Sequence, residues 1–218
     1  MIVMALSLTT VMGSAAQNPV SQGSNSSHFY WSIRKAHEPD YKRTIRNSQD
    51  LSPAERATLI KAVEALIRPF MEDSEIGSEH ELRQLAANTR VELIDLDGDG
   101  TPEVITQANG LKAGCGATGN CAFWVFKKVT DGYKLLLDTR DKEGIGGAEL
   151  LTVEKARTNG FNDLVLAAHD SASEKSLLVY RYKNGMYRES ECHYASWIST
   201  AGGTWRTLKY PVISNGCK

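Results

Sequence analysis

Four carboxylate side chains are concentrated within a nine-residue segment that also contains two glycines. The segment, here called the acidic loop, reads Asp95-Leu96-Asp97-Gly98-Asp99-Gly100-Thr101-Pro102-Glu103. Carboxylates at this spacing repel one another by about 1 kcal/mol or more per pair at an effective dielectric constant of about 20, so a cation among them would stabilise the chain. Ligands that are all oxygen atoms favour a hard cation, and a flexible set of many oxygens favours Ca²⁺. The acidic loop therefore predicts one calcium site.

Alternate positions of the acidic loop supply the predicted metal ligands. The side-chain ligands are Asp95, Asp97, Asp99 and Glu103, and the backbone carbonyl ligand is that of Thr101. An EF-hand would require a bidentate glutamate at loop position twelve, where this chain has Thr106. The alternative is a polar turn that binds no ion, although a turn requires neither the alternation of carboxylates nor Glu103.

The remaining polar residues give little indication of catalysis. The chain contains no HExxH, no Gly-x-Ser-x-Gly and no phosphate-binding loop. The segment after the predicted strand 164–167 contains His169, Asp170, Ser171 and Ser173. Because the members of a catalytic triad converge from different elements, we expect these residues to form a solvated turn and the protein not to be an enzyme.

Two tryptophans near the C-terminal end could bind a ligand or fill a core. Trp197 and Trp205 flank a glycine-containing stretch at 201–204. Large aromatic side chains dominate protein cores, so we expect core packing for both, as for Trp124. The alternative is that they line a groove for a glycan or a peptide.

The composition is that of an ordinary globular protein of one domain, with or without an appendage. The chain has 218 residues, of which 41% are hydrophobic, and a net charge of −1. A nearly neutral chain gives no electrostatic reason to expect nucleic acid or an anionic membrane as a partner. We expect instead a protein or glycan partner, whose identity the sequence does not indicate.

The first residues have the pattern of a signal peptide. Residues 2–12 are apolar apart from serine and threonine, and small residues follow at 13–16, where a signal peptidase would cut. No lysine or arginine precedes the apolar run, so a buried strand or helix is the alternative. We predict a signal peptide over 1–16, a flexible linker over 17–27 and a periplasmic or secreted protein that is not inserted in a membrane after cleavage.

The four cysteines support export. Cys115, Cys121, Cys192 and Cys217 do not have the spacing of a zinc site. Three connectivities are possible, and we favour Cys115–Cys121 with Cys192–Cys217 because each bridge would close a local loop. The alternative is a set of unbridged buried thiols, which is less expected in an exported chain.

Residues 28–90 are predicted to form a helical N-terminal region. Residues 28–50 mix aromatic and basic side chains, and we expect an irregular arm that packs its aromatics on the body. Capping-box patterns at Ser52–Glu55 and Ser78–Glu81 then predict the starts of two helices. Apolar residues recur at helical spacing after each start, so each helix should bury one face.

Residues 91–218 change to a pattern of short strands and tight turns, which occurs twice. The first unit covers about 91–138 and the second about 150–190, with Gly100 and Gly160 at corresponding positions. Hairpin turns are predicted at Asp131-Gly132 and Asn184-Gly185. A repeat of about 60 residues with about four strands per unit is typical of a β-blade.

The acidic loop, followed by the apolar Val104 and Ile105, resembles the calcium loops of FG-GAP (integrin α-type) and VCBS-like repeats. Their pattern is Asp-x-Asp/Asn-x-Asp-Gly-x-x-Asp before an apolar strand, and here Glu103 takes the place of the last aspartate. The resemblance implies that the loop joins two strands of a blade and that the ion is structural. The resemblance also implies that Asp95, Asp97, Asp99 and Glu103 are the side-chain ligands and that the Thr101 carbonyl is a further ligand.

The second copy of this loop departs from the family pattern. Lys155 and Arg157 stand at its first and third positions, and Asn159 and Asp163 remain. We therefore expect no ion there, and expect Lys155 or Arg157 to pair with Asp163.

Together these patterns predict an α+β protein with short N-terminal helices packed on antiparallel sheets built from two blade-like repeats. A full propeller needs at least four blades, so the two sheets could stack as a sandwich or form a partial propeller. The favoured function is an exported, calcium-binding, disulfide-stapled binding or structural module. The alternative is a secreted hydrolase or hydrolase inhibitor acting through the 113–120 loop or the region of His169, Trp197 and Trp205.

Overall fold

The computed structural model describes residues 41–140, 147–199 and 204–216. The predicted signal peptide, the linker and Cys217 lie outside the described residues, as do Phe29, Tyr30 and Trp31 of the predicted arm.

Two α-helices precede the strands, and local capping sets where each begins. Helix α1 covers Pro53–Ile67, and the Ser52 hydroxyl accepts from the Glu55 amide at 3.2 Å while the Glu55 carboxylate accepts from the Ser52 amide at 2.8 Å. The first capping box is therefore confirmed. Helix α2 covers Glu79–Ala87 and is capped by Ser78, but the Glu81 carboxylate accepts from the Gly77 amide, so the second capping box is only half formed.

The described residues also form two antiparallel sheets in which neighbouring strands follow chain order. The first sheet contains β1 (Arg90–Ile94), β2 (Glu103–Gln107), β3 (Phe123–Val129) and β4 (Gly132–Asp138). The second contains β5 (Leu150–Thr158), β6 (Phe161–Ser171), β7 (Glu174–Lys183), β8 (Met186–Ser199) and β9 (Arg206–Asn215). The α+β class is confirmed, as are the turns between β3 and β4 and between β7 and β8.

The second sheet extends beyond the unit predicted at 150–190. Strand β9 pairs with β8 although it contains Pro211. Proline cannot donate to a ladder and is tolerated mainly on edge strands, and β9 is the edge of its sheet. Because proline is unfavourable in most strands, the sequence pattern did not indicate strand β9.

The first sheet is covered on both faces. One face packs on the helices through Val104, Trp124 and Phe126. The other face packs on the second sheet through Ile105, Phe123 and other apolar residues. All five residues of β2 are buried as a result, which gives this strand a two-sided burial pattern rather than the half-buried alternation of a surface strand.

The disulfide loop, residues 108–122 between β2 and β3, docks on the second sheet. A disulfide joins Cys115 to Cys121, which is the pairing that the spacing favoured. The Cys121 amide donates to the Ala148 carbonyl at 2.8 Å, and the Asn120 side chain bonds both the amide and the carbonyl of His169 at 2.8 and 3.0 Å. The loop is thus tied to the start of β5 and to the far end of β6.

Cys192 on β8 is also disulfide-bonded. No cysteine among the described residues is free. The predicted partner of Cys192 is Cys217, which lies outside the described residues. The amide of Gly216, the residue before Cys217, donates to the Cys192 carbonyl at 2.8 Å.

Replacing Asn120 with alanine should lower the free energy of unfolding by about 1–3 kcal/mol, because it leaves a half-buried amide and carbonyl of His169 without their partner. Urea unfolding of the oxidised protein measures the change. Asn109→Ala is the matched control, since the exposed Asn109 side chain makes a single bond to the Asn88 carbonyl and its loss should cost less. Equal losses in the two variants would show that Asn120 does not join the sheets.

Among the residues that the structure describes, no helix has both the length and the apolar character needed to cross a membrane.

Candidate metal centre

The acidic loop joins β1 to β2 and is folded around the carboxylate of Asp95. The two Asp95 oxygens accept from the Gly98 and Gly100 amides at 2.6 and 3.1 Å. Both glycines have positive φ, 77° and 86°, a backbone conformation that residues with a Cβ adopt only at a cost. The Asp-Gly-Asp-Gly spacing therefore sets a tight turn that places successive aspartates on its inner side.

Three of the predicted ligands converge. One carboxylate oxygen from each of Asp95, Asp97 and Asp99 lies within 4.8 Å of the other two. Asp97 also accepts from the Asp99 amide, and Asp99 from the Thr101 amide, at 3.1 and 2.7 Å. An ionised carboxylate offers about four lone-pair sites, so these bonds leave oxygen capacity for a cation.

The fourth carboxylate, Glu103, is fully buried at the start of β2. Its Oε2 accepts from the Leu96 amide at 2.9 Å, whereas its buried Oε1 has no hydrogen-bond partner among the described residues. Burial raises the pKa of Glu103. A buried carboxylate oxygen without a hydrogen bond is costly unless a positive charge lies close to it.

Lys127 on β3 brings a positive charge to three of these carboxylates. Its Nζ bonds the Asp97 carboxylate, lies 2.8 Å from Asp99 Oδ2 and lies 3.5 Å from Glu103 Oε1. The hydrogen bonds to Asp97 and Asp99 raise the pKa of Lys127, and the same contact lowers the pKa of Asp99. The ammonium thus balances part of the loop's negative charge.

Sequence reasoning missed Lys127, because only the pairing of the strands places it here. Val104 on β2 lies opposite Phe126 on β3, so the next residues outward, Glu103 and Lys127, come together at the loop. The signal in the sequence is a lysine in the apolar strand β3, the second strand after the acidic loop, and only the strand register shows which residues this lysine contacts.

The second sheet closes the other side of the acidic loop. The Leu96 carbonyl accepts from the Asn162 amide at 2.8 Å and from Arg157 Nη2 at 3.1 Å. Lys127 Nζ lies 5.5 Å from the centre of the Phe161 ring. The loop therefore sits where the two sheets meet, and the β5–β6 turn that corresponds to it in the second unit packs against it.

The pairing predicted for the second loop is wrong. Asp163 forms its ion pair with Arg181 Nε on β7, at 3.5 Å, and not with Lys155 or Arg157. Arg157 lies opposite Asn162 in the β5–β6 ladder. Because side chains alternate along a strand, Asp163 points to the opposite face of the sheet.

The acidic loop and the disulfide loop lie at opposite ends of β2, since one precedes Glu103 and the other follows Gln107. A bound ion would therefore shape the junction with the β5–β6 turn directly. The surface around Cys115–Cys121 is at the far end of the strand.

The structure also places the other candidate residues. His169 and Asp170 belong to strand β6 and not to a turn, which corrects the expectation. His169 Nε2 lies 3.1 Å from Glu149 Oε2, and Asp170 accepts from the Ser176 hydroxyl at 2.7 Å. The two side chains therefore have separate partners and do not form the start of a triad.

The three tryptophans that the structure describes divide into two groups. Trp124 is fully buried, and Trp197 packs against a cluster on the second sheet, as expected. Trp205 is 74% exposed, so the expectation of core packing is wrong for this residue. A cavity of about 350 Å³ lies beside the disulfide loop, lined by Phe70, Lys112 and Arg140 among others, and neither Trp197 nor Trp205 lines it.

The residues present fit a hard cation. The donor set consists of carboxylate oxygens, one of them buried and without a hydrogen bond, and Thr101 lies in the same loop with its amide turned to Asp99. Comparison of the chain with protein-family models, with curated proteins and with solved structures gave no match. The assignment of a function therefore depends on this site.

Proposed function

We propose that this chain is an exported, calcium-binding, disulfide-stapled binding or structural module with FG-GAP-like, blade-like repeats. The ion is held by Asp95, Asp97, Asp99 and Glu103, with the Thr101 carbonyl as a further ligand. Calcium supplies charge neutralisation and a fixed coordination geometry, and the module performs no catalysis.

One observation carries the proposal: the convergence of three aspartate oxygens within 4.8 Å beside the buried Glu103 carboxylate. Four carboxylates at one turn are expensive unless cations are present, and the two cations in contact with the loop, Lys127 and Arg157, balance only part of the negative charge. Their all-oxygen chemistry favours a hard divalent ion over zinc or copper.

The position of the loop suggests what the ion does. Its Leu96 carbonyl is bonded to Asn162 and Arg157 of the second sheet, so a rigid loop fixes how the two sheets meet. At the other end of β2 the Asn120 and Ala148 contacts of the disulfide loop join the same two sheets. We propose that ion and disulfide act together to hold one rigid surface for a protein or glycan partner.

Two further features support parts of the proposal. Each unit contains a meander of antiparallel strands with its loop at the same position, which supports two blade-like repeats. The disulfides are compatible with an oxidising compartment, periplasmic or extracellular. The hydrolase alternative rests on no such convergence, since His169 pairs with Glu149 whereas the Ser176 hydroxyl bonds Asp170.

Thermal unfolding of the oxidised protein tests the proposal. Millimolar Ca²⁺ should raise the unfolding midpoint above its value in EDTA, and Mg²⁺ should raise it much less, because the smaller ion demands a stricter octahedral geometry. In Asp97→Asn/Asp99→Asn the calcium-dependent rise should disappear, since the variant loses two anionic ligands while keeping their shape.

The matched control is Glu72→Gln/Asp73→Asn, which makes the same charge change at two exposed residues after α1. It should keep the full response to Ca²⁺. A rise in the midpoint that is equal in the two variants, or equal with Mg²⁺, would contradict the proposal.

A further inference from the structure

The Lys127 ammonium contacts three of the four carboxylates that a metal ion in the acidic loop would use. It bonds the Asp97 carboxylate, lies 2.8 Å from Asp99 Oδ2 and faces the unbonded Glu103 Oε1 at 3.5 Å. Calcium lies about 2.3–2.6 Å from its oxygen ligands. An ion bound to the same oxygens would therefore be in direct contact with the ammonium.

An ammonium group and a divalent cation cannot share these oxygens. Two positive centres a few ångströms apart repel each other strongly, and the ion and Nζ would draw on the same carboxylates. Lys127 must therefore turn away before calcium can bind. Its side chain is 27% exposed and lies over the Phe161 ring, so it has a path to solvent.

We infer that Lys127 is a tethered internal cation that holds the acidic loop assembled without metal and sets its calcium affinity by competition. This inference rests on the proposed function. Competition makes the apparent dissociation constant equal to the intrinsic constant divided by the fraction of molecules in which Lys127 is away. The site is then an exchangeable one, which responds to external calcium, rather than one that is permanently filled.

Lys128 offers a matched control at the adjacent position of the same strand. Its side chain is 52% exposed and pairs with Glu55, at the start of α1, so it points away from the acidic loop. Lys127→Met and Lys128→Met remove the same charge from the same strand and keep the length of the side chain. A general effect of net charge would appear in both variants.

The first experiment is a calorimetric titration of Ca²⁺ into the wild type and the two variants. Lys127→Met should bind Ca²⁺ about tenfold or more tightly than the wild type, since one charge-assisted hydrogen bond of the ammonium corresponds to roughly that factor. It should also unfold at a lower temperature in EDTA. Lys128→Met should bind as the wild type does.

A second experiment needs no substitution, and it covers the case that Lys127→Met does not fold. Limited acetylation of the wild type, followed by peptide mass spectrometry, should show Lys127 protected in EDTA and several-fold more reactive in Ca²⁺. The reactivity of Lys128 should stay constant.

The outcomes separate the inference from the proposed function. Equal calcium affinity in Lys127→Met and the wild type, or reactivity of Lys127 that Ca²⁺ does not change despite binding, overturns the inference alone. Binding in Lys127→Met but not in the wild type supports displacement of the ion by Lys127 and overturns calcium binding as the native function. No binding in either protein overturns both.

Discussion

Replacement of Trp124 by alanine is expected to lower the free energy of unfolding by about 3–5 kcal/mol, which is the usual cost of removing a fully buried tryptophan. The Trp124 side chain has no exposed surface and lies between the first sheet and the helices. Its indole nitrogen donates to Asp138 Oδ1 at 3.1 Å, and its ring lies 5.1 Å from the Arg140 guanidinium. Urea unfolding of the oxidised protein measures the change.

Two control variants separate packing from the polar contacts. Trp124→Phe keeps most of the ring and loses the bond to Asp138, so it should cost clearly less than the alanine variant. Trp205→Ala removes a tryptophan that is 74% exposed and should change the free energy by about 0.5 kcal/mol or less. A loss in Trp124→Ala as small as that in Trp205→Ala would contradict the burial of Trp124 against the helices.

The second large effect is expected for Gly147→Ala, with a loss of about 2–5 kcal/mol. Gly147 has a φ of 107°, and a Cβ there would lie 2.1 Å from the Cys121 carbonyl oxygen. Because the obstacle is backbone, the chain must move, and the paired bonds between Cys121 and Ala148 are the contacts that would break. Thermal unfolding, followed by circular dichroism, measures the loss.

Gly160→Ala is the matched control for this variant. Gly160 also has a positive φ, 88°, but a Cβ there would meet nothing within 4 Å. It should cost only the backbone strain of a left-handed alanine, about 1–2 kcal/mol. Equal losses in the two variants would show that Cys121 is not packed against Gly147.

Local signals in the sequence predicted the elements that depend on neighbouring residues. Ser52 and Glu55 form the capping box that starts α1, and the turn at Asn184-Gly185 joins β7 to β8. In both cases the determining contacts lie within a few residues. The spacing of aspartates in the acidic loop is equally local, and Asp95, Asp97 and Asp99 do lie together.

Features that depend on strand register could not be predicted in the same way. Lys127 reaches the acidic loop only because β3 pairs with β2 in one particular register, and Asp163 meets Arg181 for the same reason. His169 looked like part of a turn because its neighbours are polar, yet it continues β6 by pairing with Lys175 on β7. Partners distant in sequence determined the positions of Lys127 and Asp163, whereas His169 pairs six residues away across the β6–β7 hairpin.

The most direct test of the calcium site is a calorimetric titration of Ca²⁺ into the oxidised protein, repeated with Asp97→Asn/Asp99→Asn. We predict one ion bound per chain in the wild type and loss of binding in the variant. A titration without binding heat at several temperatures, or binding that the variant retains with unchanged affinity, would contradict the assignment of the acidic loop as a metal centre.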